Sequence, residues 1–151
     1  MFVHTRRITV EWGDCDPAGI VFFPRYLAYF DACTWALFTA ALGMKKVQLL
    51  AHYGTIGCPM VDLRTRFLIP STYGDEVVVE TQIREFRRSS FDVQHRLLKD
   101  GALAVEGLET RVWAAKDPER PGRLKSRPIP ADVIRSLGGH PLQPEPVGHQ
   151  P

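Results

Sequence analysis

Cysteine is scarce in this chain of 151 residues, and the three present, Cys15, Cys33 and Cys58, are odd in number and widely spaced. No CxxC pair occurs, so the sequence offers neither a zinc-finger ligand set nor a dithiol redox motif. Reduced thiols in a cytoplasm are the expected state. Long apolar runs are also missing: no stretch approaches the ~20 residues that span a bilayer, so no membrane association is expected. The N-terminal Met-Phe-Val-His-Thr-Arg-Arg lacks the apolar core of a secretion signal, and a soluble, unexported, cytoplasmic protein is expected. Charge of one sign is lacking too. The formal net charge is only +2, which argues against a nucleic-acid partner and requires any anion site to be a local cluster.

What is present is an ordinary globular composition, 44% apolar and 24% charged, in one domain's length of chain. A domain of this size buries roughly 70% of its unfolded surface and needs neither disulfides nor metals to fold.

Residues 6–12 alternate, with Ile8, Val10 and Trp12 on one face, as in a half-buried strand. A dense turn cluster follows at Gly13-Asp14-Cys15-Asp16-Pro17-Ala18-Gly19. From Pro24 to Leu42 the apolar residues recur at steps of three and four, predicting a long helix. Pro24 suits its first turn and Gly43 its C-terminal cap. Tyr29 and Trp35 widen the apolar surface, so burial on more than one side is expected. A second short helix is predicted over Lys46–His52, ended by Gly54. Four strands follow, at about 59–68, 75–86, 91–99 and 103–115, and Asp100-Gly101 is a two-residue hairpin signal between the last two. Pro118–Pro130 reads as a basic, Pro-containing connector with Arg120, Arg123, Lys125 and Arg127, and a short helix is predicted at Ala131–Leu137. The domain is expected over 1–137, and 138–151 as a Pro/Gly-rich flexible C-terminal tail.

This order predicts an α+β fold, an antiparallel sheet packed on one helix. Such a sheet leaves free edges and, on this reading, an apolar outer face. Pairing with a second copy would cover them, so a homo-oligomer is expected.

The turn cluster is the first chemical candidate. A carboxylate next to a helix N-terminus can attack a carbonyl or activate water, while unpaired helix N–H groups hold the oxyanion. From spacing alone, an Asx-type turn satisfied by its own backbone explains the same residues. Arg87-Arg88 with Ser90 is the second candidate, since paired arginines suit a polyanion and suit a solvated turn equally. Asp31, inside an otherwise apolar helix, is the third. His95 shares a face with Phe91, Val93 and Leu97 and reads as a hydrogen-bonded core residue; His52 sits near a helix end, where a dipole contact suffices.

The segment Trp-Gly-Asp-Cys-Asp-Pro-Ala-Gly-Ile-Val-Phe-Phe-Pro-Arg-Tyr closely resembles the signature of bacterial 4-hydroxybenzoyl-CoA thioesterases of the Pseudomonas type, a family of hot-dog fold acyl-CoA thioesterases. Gly54-Thr55-Ile56-Gly57-Cys58-Pro59 and Glu85-Phe86-Arg87-Arg88-Ser89-Ser90-Phe91 resemble further family segments. The resemblance covers about residues 6–134 and implies a five-stranded antiparallel sheet wrapped around one long helix. It implies hydrolysis of an aromatic acyl-CoA such as 4-hydroxybenzoyl-CoA, with Asp16 as nucleophile or general base and the backbone N–H of Phe23 as oxyanion donor. The family often has Tyr at the Phe23 position; a backbone contact is preserved by either residue. Asp31 matches an aspartate that faces the acyl group and accepts from a ring hydroxyl. Arg87, Arg88, Ser90 and, in a looser alignment, Lys125 match CoA contacts, with Ser89 standing where the family has a third basic residue. No cofactor or metal is implied. The site is implied to lie at a subunit interface of a dimer or tetramer. A short-chain acyl-CoA thioesterase and a non-catalytic acyl-CoA-binding module are the alternatives.

Overall fold

A computed structural model describes residues 1–140 of the chain. Seven strands and three helices alternate as β1 (Val3–Thr9), α1 (Phe23–Leu42), α2 (Lys46–Tyr53), β2 (Met60–Phe67), β3 (Glu76–Phe86), β4 (Ser90–Lys99), β5 (Ala102–Val112), β6 (Ala114–Lys116), β7 (Leu124–Ser126) and α3 (Ala131–Ser136). Five of the strands form one sheet in the order β1-β3-β4-β5-β2. Every neighbouring pair in it is antiparallel. The sheet wraps α1, which gives the α+β hot-dog architecture.

The period of two explains the sheet. Val77, Val79, Thr81 and Ile83 of β3, and Phe91, Val93, His95 and Leu97 of β4, all point inward and are buried. Asp100 and Gly101 take positive φ values of 50° and 78°, the backbone that a two-residue β4–β5 hairpin demands. In α1 the inward stripe is Tyr26, Phe30, Cys33, Thr34, Leu37 and Phe38. Pro24 lies in the first turn and Gly43, at φ 66°, closes the last. Two apolar clusters result. One, around Phe30, Val79, Leu97 and Val105, lies under the first half of α1. The other, around Leu37, Phe38, Phe91 and Trp113, lies under the second half and takes in Leu49 of α2 and Leu137 after α3. Each fully buried Phe or Leu contributes about 1.5–3 kcal/mol.

The structure corrects several expectations. The first strand is Val3–Thr9, and Trp12 opens a single 3-10 turn with its indole 79% exposed, because the chain leaves the sheet after Val10 to form the loop. The expected strand 103–115 breaks at Trp113; beyond it β6 pairs with β7, so part of the supposed connector is a two-stranded ribbon carrying Lys125 opposite Ala115. The outer face of the sheet is polar, not apolar: Glu80, Gln82, Arg84, Gln94, Arg96 and Arg66 are among its residues, since alternation hands outward positions to polar side chains. Exposed apolar surface gathers instead on edge strand β2 and the start of α1, at Val61, Phe67, Leu68, Phe22 and Phe23. At the expected tail, Gly138 and Gly139 close α3 by donating to Arg135 O at 3.0 Å and Ile134 O at 2.9 Å. Residues 141–151 of that tail lie outside the described residues. No single described helix is long and apolar enough to cross a membrane.

Candidate active site

The loop between β1 and α1 is held by its own backbone. Asp16 N–H donates to Ile20 O at 3.0 Å, and Gly19 N–H, at φ 82°, returns to Asp16 O at 2.9 Å. Val21 N–H donates to Ser71 O at 2.9 Å and ties the loop to the β2–β3 connection. Asp14 anchors the other side: its Oδ2 accepts from Glu11 N–H at 2.9 Å and from the Tyr29 hydroxyl at 2.6 Å, and its carbonyl accepts from Phe22 N–H at 2.8 Å. Burial raises the Tyr29 hydroxyl well above the ordinary phenol range, and the bond to Asp14 adds to the rise.

Asp16 is half-buried within this frame. Its Oδ1 accepts from Ala18 N–H at 2.8 Å, which is the Asx turn the spacing allows. Among the described residues its Oδ2 makes no hydrogen bond, so one carboxylate oxygen is free. Helix α1 begins at Phe23, one residue before the expected Pro24. No side chain caps it and its first turn carries no acidic residue. At the start of α1 Pro24 has no N–H and Arg25 N–H donates to Phe22 O at 2.8 Å; what remain are the Phe23 N–H, unpartnered among the described residues, and the positive end of a 20-residue dipole. Beside them is a cavity of about 210 Å³ lined by Ile20, Val21, Phe23, Tyr26, Phe67 and Leu68, among others. A free carboxylate oxygen, the unpaired Phe23 N–H and an apolar recess thus share one end of the sheet.

Asp31 lies eight residues along α1 from Phe23, about 12 Å up the axis. Its side chain is 54% exposed, and its Oδ1 accepts from Arg111 at 2.9 Å. Arg111 was not singled out by sequence reasoning. The available signal is that Glu109 and Arg111 occupy the inward face of β5, two and four residues beyond Gly107. His95 is buried, as its alternation indicates, with Nδ1 2.9 Å from Thr81 Oγ1 and its ring stacked on Phe30.

The basic turn stands at the opposite end of the sheet. Strand β3 leads from the loop end to Arg87 over 11 residues, roughly 35 Å. Arg87 is already engaged: its guanidinium meets Asp92 at 2.6 Å and Glu85 at 2.9 Å, and its Nε donates to Ser90 Oγ at 2.9 Å. Hydrogen bonding to Arg87 holds Asp92 below the usual carboxylate range. Arg88 is exposed and makes no ion pair among the described residues. Lys125 is exposed on β7, close to this end, because Trp113 N–H donates to Ser89 O and Arg127 N–H to Trp113 O, each at 2.8 Å. Within one chain, Asp16 and Phe23 therefore form one group, and Arg87, Arg88, Ser90 and Lys125 another, with Asp31 between them. Cys33 and Cys58 are buried free thiols, and Cys15 is partly exposed and free. Burial pushes the Cys58 thiol up to about 12, so it is no nucleophile.

A single long helix in a wrapped antiparallel sheet, with a carboxylate loop at the helix start, defines a hot-dog enzyme. The thioesterase-like superfamily pattern matches residues 10–137. The chain is 36% identical over 135 residues to the 4-hydroxybenzoyl-CoA thioesterase of Pseudomonas sp. strain CBS-3, covering 86% of this chain and 94% of that protein. It is 30% identical over 128 residues to the 1,4-dihydroxy-2-naphthoyl-CoA hydrolase of Thermosynechococcus vestitus, covering 82% and 83%. The crystal structure of an aspartate-to-asparagine mutant of 4-hydroxybenzoyl-CoA thioesterase, complexed with 4-hydroxybenzoyl-CoA, superposes with a TM-score of 0.81 at 33% identity, covering 89% of this chain and 98% of that one. The chain belongs to the thioesterase-like superfamily, in its hot-dog branch of the 4-hydroxybenzoyl-CoA thioesterase type. It is a thioester hydrolase.

Proposed function

We propose that this protein hydrolyses an aromatic acyl-CoA, 4-hydroxybenzoyl-CoA or a close hydroxylated analogue, to the free acid and CoA. The observation that carries the reading is the free Asp16 oxygen on the loop that leads into the uncapped start of α1, where an apolar recess is lined by Ile20, Val21 and Phe23. Its closest support outside the chain is that relatives on both sides of the comparison act on hydroxylated aromatic acyl-CoA.

The thioester carbonyl accepts from Phe23 N–H, which polarises it and carries the charge that develops on oxygen. Asp16 either attacks the carbonyl carbon, giving an acyl-aspartyl anhydride that water then opens, or removes a proton from water as it attacks. In both routes the C–S bond breaks and sulfur leaves as the CoA thiolate; water supplies an oxygen to the new acid directly, or to the Asp16 carboxylate when the anhydride opens on the aspartyl side. These steps need no metal or redox cofactor. Asp31 accepts a hydrogen bond from the ring hydroxyl.

The roughly 35 Å between the loop and the basic turn is bridged, on this reading, by a second copy. Among the described residues strand β2 has β5 as its one sheet partner, and it has an exposed apolar edge. Its Phe67 end adjoins the recess, and its Met60 end pairs with Arg111 of β5. Antiparallel pairing of β2 with its own copy sets the Phe67 end of one chain beside the Met60 end of the other. The partner's Arg88 and Lys125 then come toward the mouth of the site, where they take CoA phosphates. A homodimer is thus the smallest active unit, and a tetramer is a pair of them. The three free thiols support a reducing, cytoplasmic setting.

The test is steady-state release of CoA thiol from 4-hydroxybenzoyl-CoA, benzoyl-CoA and acetyl-CoA. The reading predicts kcat/KM in the order hydroxybenzoyl, benzoyl, acetyl. A preference for acetyl-CoA would assign a short-chain thioesterase, and no turnover of any of the three would assign a binding module.

A further inference from the structure

Burying charge inside an apolar core is costly unless every charge is paired. This core contains such a set. The Glu109 and Arg111 side chains are 0% and 4% exposed. Arg111 spends all its donor atoms: Nε on Glu109 Oε2 at 2.8 Å, one terminal nitrogen on Cys58 O at 3.3 Å, the other on Asp31 Oδ1 at 2.9 Å. Glu109 Oε1 lies 3.4 Å from His95 Nε2 without a hydrogen bond, and Thr34 Oγ1 links the two, 3.5 Å from Glu109 Oε2 and 3.3 Å from His95 Nε2. His95 continues to Thr81 at 2.9 Å. Burial alone would raise the Glu109 carboxyl, but the His95 and Arg111 contacts outweigh it and keep the group ionised. A polar chain therefore runs from β3 through β4 and β5 to α1, and it surfaces at Asp31.

Well-packed apolar residues in such a place are generally at least as stabilising. Stability is a poor reason for the chain, and what it accomplishes geometrically is to aim Asp31. We propose that Arg111 is a positioning residue for acyl-group selection. It engages Asp31 Oδ1 at 2.9 Å and leaves Oδ2 as a single, fixed acceptor for a hydroxyl on the acyl ring. The proposal rests on the reading that Asp31 faces the acyl group. Arg111 acts through Asp31 and not on the substrate, because its side chain is almost wholly buried and each of its three nitrogens is already engaged within the core. An aimed carboxylate acceptor favours a ring hydroxyl, which donates, over a ring substituent that can only accept.

The experiment measures kcat/KM for 4-hydroxybenzoyl-CoA and benzoyl-CoA on the full chain, in wild type, Arg111→Met, Asp31→Ala and the Asp31→Ala/Arg111→Met double variant. The hydroxyl preference, as the ratio of the two values, should fall at least ~5-fold in Arg111→Met. It should fall as far in Asp31→Ala and no further in the double variant. A merely structural role would lower both substrates together and leave the ratio intact, and that result would overturn the proposal. So would a ratio that drops again when Arg111→Met is added to Asp31→Ala. If Arg111→Met does not fold, Glu109→Gln/Arg111→Met leaves no unpaired buried charge and is held to the same ratio. Wild type that hydrolyses no aroyl-CoA would remove the underlying function, a result visible before any variant is made, and would take this proposal with it.

Discussion

Tyr29→Phe removes one hydroxyl and leaves the ring. That hydroxyl donates at 2.6 Å to Asp14 Oδ2, which otherwise keeps only the Glu11 N–H. A hydrogen bond to a charged acceptor is worth about 1.5–3 kcal/mol, and because Asp14 is only half-buried, water replaces part of it. A net loss of about 1–2 kcal/mol is expected, which in a chain of this length lowers the melting temperature by about 2–8 °C. The functional effect follows from what Asp14 holds. Its carbonyl accepts Phe22 N–H at 2.8 Å, so slack at Asp14 passes to the residue preceding Phe23, the proposed oxyanion donor, and, two residues away, to Asp16. Misplacement of about 1 Å at a reacting centre can cost 10²-fold, so kcat should fall roughly 5- to 50-fold. KM should move much less, since the proposed phosphate contacts at the distant basic turn are untouched. Thermal melts and steady-state hydrolysis at one pH check both halves. A variant with wild-type melting and wild-type kcat would refute the view that this bond frames the site. One with lower melting but full kcat would confine Tyr29 to stability.

Four further outcomes are expected. Gly107→Ala would put a Cβ 2.7 Å from the Phe30 ring, which cannot retreat because it is buried and stacked 4.5 Å above His95; the cost of about 1–3 kcal/mol should lower the melting point by about 2–12 °C in a calorimeter. Burial and a hydrogen bond to Asp132 push the Tyr53 hydroxyl up to about 12, while in the unfolded chain it ionises near 10. The stability from its protonated form is complete below pH ~10 and is lost as pH rises toward about 12, so denaturant midpoints should fall over that window and fall less steeply in Tyr53→Phe. Arg88→Ala should raise KM several-fold with kcat little changed, and added salt should narrow its difference from wild type. Arg87→Ala should act chiefly on stability, because Asp92, Glu85 and Ser90 already occupy that side chain.

Local signals made much of the fold legible. The steps of three and four in α1, the alternation of Phe91, Val93, His95 and Leu97, and the Asp100-Gly101 turn each act over a few residues, and each is realised. Features set by distant contacts were not legible. Trp12 continues the alternation of Ile8 and Val10, yet it faces solvent because the loop must leave the sheet to reach Ser71. The break at Trp113 comes from backbone bonds to Ser89 and Arg127, which no periodicity announces. At the candidate site, the loop and helix start form one contiguous motif and were readable together. The partner of Asp31 is 80 residues away in sequence, so only the assembled core reveals it. The engagement of Arg87 by Asp92 was likewise hidden, since a basic turn reads the same whether its arginines are free or paired.

The central claim is that Asp16 performs the chemistry. Asp16→Asn keeps the side chain's shape and its acceptor for Ala18 N–H at 2.8 Å, while removing charge and basicity. Hydrolysis of 4-hydroxybenzoyl-CoA should fall by at least ~10² in kcat, with melting temperature and substrate affinity near those of wild type. Asp14→Asn should lose far less. A folded Asp16→Asn protein that turns over substrate at the wild-type rate would contradict the account.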